Sequence, residues 1–202
     1  MRIETKLPTG LIGVFNMPFL TTPIPGLRVF EPRVFEDSRG YFYEAFSEKV
    51  FQEEGINLKF VQDNQSYSKY GVIRGLHYQV YPHAQAKLVR VLDGVIVDAV
   101  VDIRAGSPTF GKTFTIELSD ANKKQLLVPV GFAHGFAVIS PTATVLYKCN
   151  EFWNKGSEGG IRFDDPTLNI DWGIPKDKAI LLEKDLDLPL FAHCKNNFVY
   201  QP

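Results

Sequence analysis

The sequence predicts an all-β fold, a sandwich or barrel of short strands with little helix. Three observations point that way. Short apolar stretches recur at close spacing from residue 59 to residue 150, with Gly, Pro, Asn and Asp between them. Aromatic residues make up 13% of the chain, with 16 Phe and 8 Tyr, and such side chains suit a pleated surface. With 16 Gly and 13 Pro spread along it, the chain lacks the helical stretches that alternating βα units require.

Taken in order, residues 1–26 are rich in Pro, Gly and Thr and read as an irregular arm. Its apolar stretch 11–20 is broken by Gly13, Asn16 and Pro18, and no small-residue cleavage site follows. Residues 27–36 read as a strand. Ser47, followed by Glu48, Val50 and Phe51, reads as a capped helix ending near Gly55. Strands are then expected at 59–66, 71–79, 87–92, 95–103, 113–118, 125–129, 134–139 and 144–150. Asp93-Gly94 lies between two apolar runs and predicts a hairpin. From 157 to 202 the chain turns irregular around one apolar piece, 179–182. It is expected to wrap the barrel, so that residues 1–202 form one domain.

Length and charge narrow the function classes. A chain of 202 residues with 45% hydrophobic content buries a sizeable core and is not disordered. The formal net charge of −1 gives the whole chain no pull toward nucleic acid or an anionic membrane surface. No uninterrupted apolar run approaches the ~20 residues of a membrane span. Cys149 and Cys194 form no CxxC pair, which argues against a disulfide scaffold and predicts a reducing, cytoplasmic setting.

Residues two apart in a strand share a face. On that count Ile73, Gly75, His77 and Gln79 align, as do Lys87, Val89 and Val91. Gln62, Asn64 and Ser66 share a third face, Phe132, His134 and Phe136 a fourth, and Val145, Tyr147 and Cys149 a fifth. Several strands thus place polar groups among apolar neighbours. A lone His or Tyr on a strand is ordinarily a satisfied structural residue, and Lys87 could snorkel outward. The conjunction of His77, Lys87, Tyr147 and His134 on separate strands predicts a polar cavity inside the barrel. A metal is the obvious competitor, with His77 and His134 as ligands. A mononuclear site usually wants three protein ligands, and the strand of His77 offers Gln79 rather than a second His.

An ordered set of motifs carries further information. Arg74 precedes Gly75-Leu-His77-Tyr-Gln, and Ala84-Gln-Ala-Lys87-Leu-Val follows. Next come Val101-Asp-Ile-Arg104, Ser107-Pro-Thr-Phe-Gly111, Pro129-Val-Gly-Phe-Ala-His134-Gly-Phe and Leu146-Tyr147-Lys148. Earlier pieces are Glu31-Pro-Arg-Val-Phe, Asp37-Ser-Arg39-Gly and Phe60-Val-Gln62-Asp-Asn64. Together, from about Leu27 to Asp185, they resemble the dTDP-4-dehydrorhamnose 3,5-epimerase family of RmlC-like cupins. About fifteen residues ahead of the first matched strand, and the tail 191–202, have no counterpart in that pattern.

The resemblance implies a cupin jelly-roll, a homodimer, and no metal or cofactor. It implies epimerisation at C3 and C5 of a dTDP-4-keto-6-deoxyhexose. Within it, His77 is the base, Tyr147 the proton donor, Lys87 the cation near the enolate oxygen and Asp185 the residue that orients the base. Nucleotide and sugar contacts fall on Arg39, Glu44, Gln62, Asp63, Asn64, Arg74, His134, Glu158 and Lys184. The same core motifs occur in relatives that invert one carbon. A single-carbon epimerase, a ketoisomerase of the same sugar nucleotides and a non-catalytic sugar-nucleotide-binding cupin therefore stand as alternatives.

The chemistry suits these residue types. A C–H beside a ketone is acidic because its electrons can delocalise into the carbonyl. Inverting that carbon needs a base on one face and a donor on the other. Imidazole titrates near working pH, at about 6.5, and a phenol has a proton to return. One conflict remains in the pattern. Arg74 and His77 are three apart, so a flat strand would aim them to opposite sides. Both can line one cavity if the strand kinks at Gly75.

Overall fold

Two facing antiparallel sheets account for most of the strands in the computed structural model, which describes residues 18–202. The predicted arm lies outside the described residues up to residue 17. Phe19–Thr21 (β1), Arg28–Phe30 (β2), Gln125–Val128 (β10), Lys87–Asp93 (β7), Thr142–Cys149 (β12) and Gln62–Lys69 (β5) follow one another across a six-stranded sheet. Glu158–Gly160 (β13), Ile73–Gln79 (β6), Phe132–Val138 (β11), Val95–Asp102 (β8) and Thr113–Ser119 (β9) make a five-stranded sheet. Val34–Asp37 (β3) and Gly40–Tyr43 (β4) pair as a separate hairpin. This is the all-β jelly-roll arrangement expected for a cupin.

The apolar pattern explains the layers. Val29, Val89, Val91, Leu126 and Val145 from the first sheet meet Ile96, Val100, Leu118, Phe132 and Phe136 from the second, forming the inter-sheet core. The outer face of the five-stranded sheet is covered as well. Ile73, Leu76, Val101 and Ala133 pack there against Ile161, Phe163, Trp172 and Phe198 from the C-terminal segment. The outer face of the six-stranded sheet meets the helix Glu48–Glu53 (α1) through Phe51, with Phe19, Phe30, Leu88 and Leu127 around it. Strands covered on both faces, such as β10 and β11, are therefore buried at every residue.

Four expectations need correction. The strand predicted at 27–36 is two strands, because Pro32 has no N–H for a ladder and residues 31–33 break the pairing. The hairpin predicted at Asp93-Gly94 does not form, since β7 and β8 belong to different sheets. Gly94 (φ +85) instead turns the chain from one sheet to the other, where a Cβ would lie 2.1 Å from the Thr142 carbonyl oxygen. The arm is not irregular throughout, because β1 pairs with β2 and Ile24 enters the inter-sheet core. The C-terminal segment also contributes a short strand, β13, which places Glu158 opposite Gln79. The helix matches its prediction, although Ser47 makes no side-chain capping bond.

The kink at Gly75 is present. His134 pairs with His77 and Phe136 with Arg74, so two steps along β11 oppose three along β6. Gly75 has φ +118, and its absent side chain lets β11 pass close. A Cβ there would lie 2.6 Å from both the Gly135 Cα and the His134 carbonyl oxygen. The extra residue turns Arg74 toward the same cavity as His77.

Candidate active site

One cavity of about 320 Å³ lies between the sheets at the end where β6, β7 and β12 open. Its polar wall consists of Ser66, Arg74, His77, Lys87, His134, Tyr147, Lys184 and Asp185. His77, Lys87 and Tyr147 also line an adjoining cleft of about 150 Å³ with Gln62, Asn64, Trp153 and Glu158. Local sequence explains these placements. Lys87 opens β7 on the face it shares with Val89 and Val91, while Tyr147 and Cys149 share the inner face of β12. Cross-strand pairing sets Cys149 beside Lys87 and Tyr147 beside both Val89 and Asn64.

His77 Nε2 lies 2.8 Å from Asp185 Oδ1, and the aspartate side chain is 3% exposed. Asp185 comes from the short helix Glu183–Leu186 (α2), which the apolar piece 179–182 brings over the cavity. A buried carboxylate on one ring nitrogen fixes the tautomer, leaves the other nitrogen for chemistry and stabilises the imidazolium. Opposite stands Tyr147. Burial pushes its phenol up from the usual value, the Cys149 thiol adds to this, and the Arg74 charge works against it. The Lys87 Nζ lies 5.9 Å from the Tyr147 ring centroid. Burial holds the Lys87 amine below its usual value, opposed by Cys149, Asp98 and Glu158. Among the described residues Lys87 has no ion-pair partner, and burying such an ammonium is costly, so its place at this wall suits an anionic occupant.

A second pair sits beside the first. His134 Nε2 is 3.0 Å from each carboxylate oxygen of Asp98, and both side chains are buried. Sequence reading placed His134 in the site but gave Asp98 no role. The signal was there, because a carboxylate within the apolar run of β8 must find a partner. Trp153 was also missed. It is exposed at the cleft mouth, and its Nε1 donates to Glu158 Oε1 at 2.7 Å. Gln62 donates to Asn64 at 3.0 Å, and Asn64 donates to the Cys149 sulfur at 3.6 Å.

Three residues named by the sequence lie away from this cavity. Asp63 alternates to the outer face of β5, where Lys148 Nζ lies 3.0 Å from its carboxylate. Arg39 caps the β3–β4 hairpin, 87% exposed and 2.6 Å from Asp37. Glu44 is exposed just beyond that hairpin. Among the described residues, no cluster of three or more His, Cys, Asp or Glu side chains has metal-holding geometry.

Comparison with known proteins agrees with this fold. The family model for dTDP-4-dehydrorhamnose 3,5-epimerase matches residues 21–193. A curated epimerase of that name from Shigella flexneri is 50% identical over 172 residues, covering 85% of this chain and 94% of the relative. The crystal structure of the Elizabethkingia anophelis enzyme superposes with a TM-score of 0.84 at 54% identity, covering 86% of this chain and 96% of the other. A dTDP-6-deoxy-D-glucose-3,5-epimerase from Legionella pneumophila, in complex with dTDP-4-keto-L-rhamnose, superposes with a TM-score of 0.87. It is 44% identical, covering 91% of this chain and 98% of the other. With matches of this length on both sequence and structure, the chain belongs to the dTDP-4-dehydrorhamnose 3,5-epimerase family.

Proposed function

We propose that the chain is an isomerase that inverts C3 and C5 of dTDP-4-dehydro-6-deoxy-D-glucose, giving dTDP-4-dehydro-L-rhamnose through enolate intermediates. One observation carries the residue roles: His77 on the five-stranded sheet and Tyr147 on the six-stranded sheet line one cavity from opposite walls. A hexose between them presents one face to each. His77 takes the proton beside the C4 ketone, and Asp185 stabilises the imidazolium. The electrons move into the carbonyl, and Lys87 faces the oxyanion. Tyr147 then returns a proton to the other face. General acid–base help is worth about 10²–10⁴-fold and one oxyanion donor about 10²–10³-fold. Enzymes need about 10⁶ or more, so both contributions are required.

The remaining cavity residues serve binding. Arg74 and Lys184 answer the diphosphate charge. Gln62, Asn64, His134 and Glu158 contact the sugar and nucleotide, and the Trp153 face is open for stacking. Ser66 Oγ, buried at this wall without a partner among the described residues, awaits a polar ligand group. The scheme calls for no cofactor. The chain acts as one catalytic domain, as a cytoplasmic homodimer. Phe35, Tyr41 and Phe42 on the β3–β4 hairpin are exposed, and such an aromatic ribbon wants a cover. Covered by a second copy, Arg39 and Glu44 would serve the neighbouring cavity. Asp63, held by Lys148, acts by orienting the strand that bears Gln62 and Asn64.

Incubation with dTDP-4-keto-6-deoxyglucose in D2O, followed by NMR at C3 and C5, tests the reaction. Deuterium at both carbons, with the L-rhamno product, is expected. Label at one carbon would make the chain a single-carbon epimerase, and label at neither would make it a binding protein.

A further inference from the structure

We propose that Ser68 is a positioning residue that holds the Arg74 guanidinium beside Tyr147, where its charge stabilises the phenolate left after proton donation. The proposal rests on the epimerase reading above and assigns Arg74 a task beyond the diphosphate.

Alternation places Gln62, Asn64, Ser66 and Ser68 on one face of β5. The first two bond to each other, and Ser66 has no partner. Ser68 is committed to Arg74: its oxygen accepts from Arg74 Nε at 3.0 Å, and the residue is 4% exposed. This tether uses Nε, and among the described residues the terminal nitrogens of the guanidinium have no hydrogen-bond partner. Among the described residues no carboxylate lies within ion-pair distance of Arg74, so none of them neutralises its charge.

The backbone converges on the same placement. The bulge at Gly75 turns Arg74 into the cavity, and Gly135 opposite leaves room, since a Cβ there would lie 2.7 Å from the Arg74 carbonyl oxygen. A diphosphate is mobile and hydrated, and a free arginine at the rim would satisfy it. A guanidinium tethered at its Nε to the buried Ser68 suits a fixed partner instead. Tyr147 is such a partner, on the strand paired with that of Ser68 and lining the same cavity. Lys87 lies 5.9 Å from the ring centroid, yet the charge opposing the upward shift of the phenol is that of Arg74.

The step balances. The Tyr147 O–H bond breaks, a C–H bond forms at the enolate carbon, and the enolate electrons restore the C4 carbonyl and supply that new bond. Tyr147 is left as phenolate facing Arg74 and regains its proton from water. If the phenolate is not stabilised, donation slows, and His77 returns a solvent-exchanged proton to the original face.

The partition between exchange and inversion reads this directly in D2O. Ser68→Ala is expected to raise the ratio of wash-in without inversion to inversion about tenfold, the scale of a hydrogen bond to a charged group. Ser68→Thr, which keeps the hydroxyl, is expected to restore the ratio. Arg74→Gln, with Ser68 intact, is expected to show the same defect, and it decides the matter if Ser68→Ala does not fold. A raised KM with an unchanged ratio in these variants would confine Arg74 to substrate affinity and overturn the proposal. Absence of wash-in by the unaltered enzyme would overturn the epimerase reading itself, a result the variants alone cannot produce.

Discussion

Each group proposed for catalysis is in a state that its immediate neighbours set. His77 has a carboxylate on one nitrogen and the cavity before it, so His77→Asn should abolish deuterium wash-in at C3 and C5 while the circular dichroism spectrum stays unchanged. Tyr147→Phe keeps the proposed base and removes the proposed donor. Wash-in should persist in that variant, with inversion reduced by about 10²-fold or more, read by NMR against the unaltered enzyme. Lys87 adds a pH dependence. Its ammonium is the useful form, and burial lowers the value at which that charge is lost. As pH rises, Lys87 therefore turns neutral earlier than an ordinary lysine, and the alkaline limb of kcat/KM should fall below the usual lysine range. Lys87→Met should remove that limb and cost about 10²–10³-fold in kcat. A limb that survives in this variant would belong to another group.

At the scale of the element, the bulge in β6 is the feature on which the cavity depends. Gly75→Ala places a Cβ against the backbone of β11 at a φ that side chains avoid. A loss of more than about 1–3 kcal/mol is expected in denaturant unfolding, together with weaker substrate binding as Arg74 is displaced. This bulge was legible because Arg74 and His77 had incompatible parity. The inner faces of β5, β7 and β12 were legible too, because each strand alternates. What escaped has physical reasons. Strand β8 is covered on both sides, so its pattern is a continuous apolar run in which Asp98 has no visible face. The Asp-Gly pair marks a sharp turn but not the sheet that the next strand joins. Asp185 stands 108 residues from His77, a distance that no local period spans, and only the family motif pointed to it. Asp63 is the converse case, since its motif neighbours face the cavity and alternation turns it away.

For the whole molecule, the C-terminal tail is a structural addition that extends beyond the family match at residue 193. Phe198 is 3% exposed within the outer core, and the backbone of residues 198–200 bonds to Ala105 on both sides. Tyr200 stacks on Arg104, whose own carboxylate partner Asp102 is fully buried. Phe198→Ala should cost about 3–5 kcal/mol and lower the melting temperature, with turnover preserved below the transition. An unchanged melting temperature would make the tail an ornament. The two-sheet construction has a final consequence. The groups proposed to remove and return protons are mounted on separate slabs, whose spacing of about 10 Å is set by apolar filling such as Val89, Val100 and Phe136. On that reading, thinning the filling draws acid and base together, and stereochemical fidelity is expected to respond to residues that never meet the sugar.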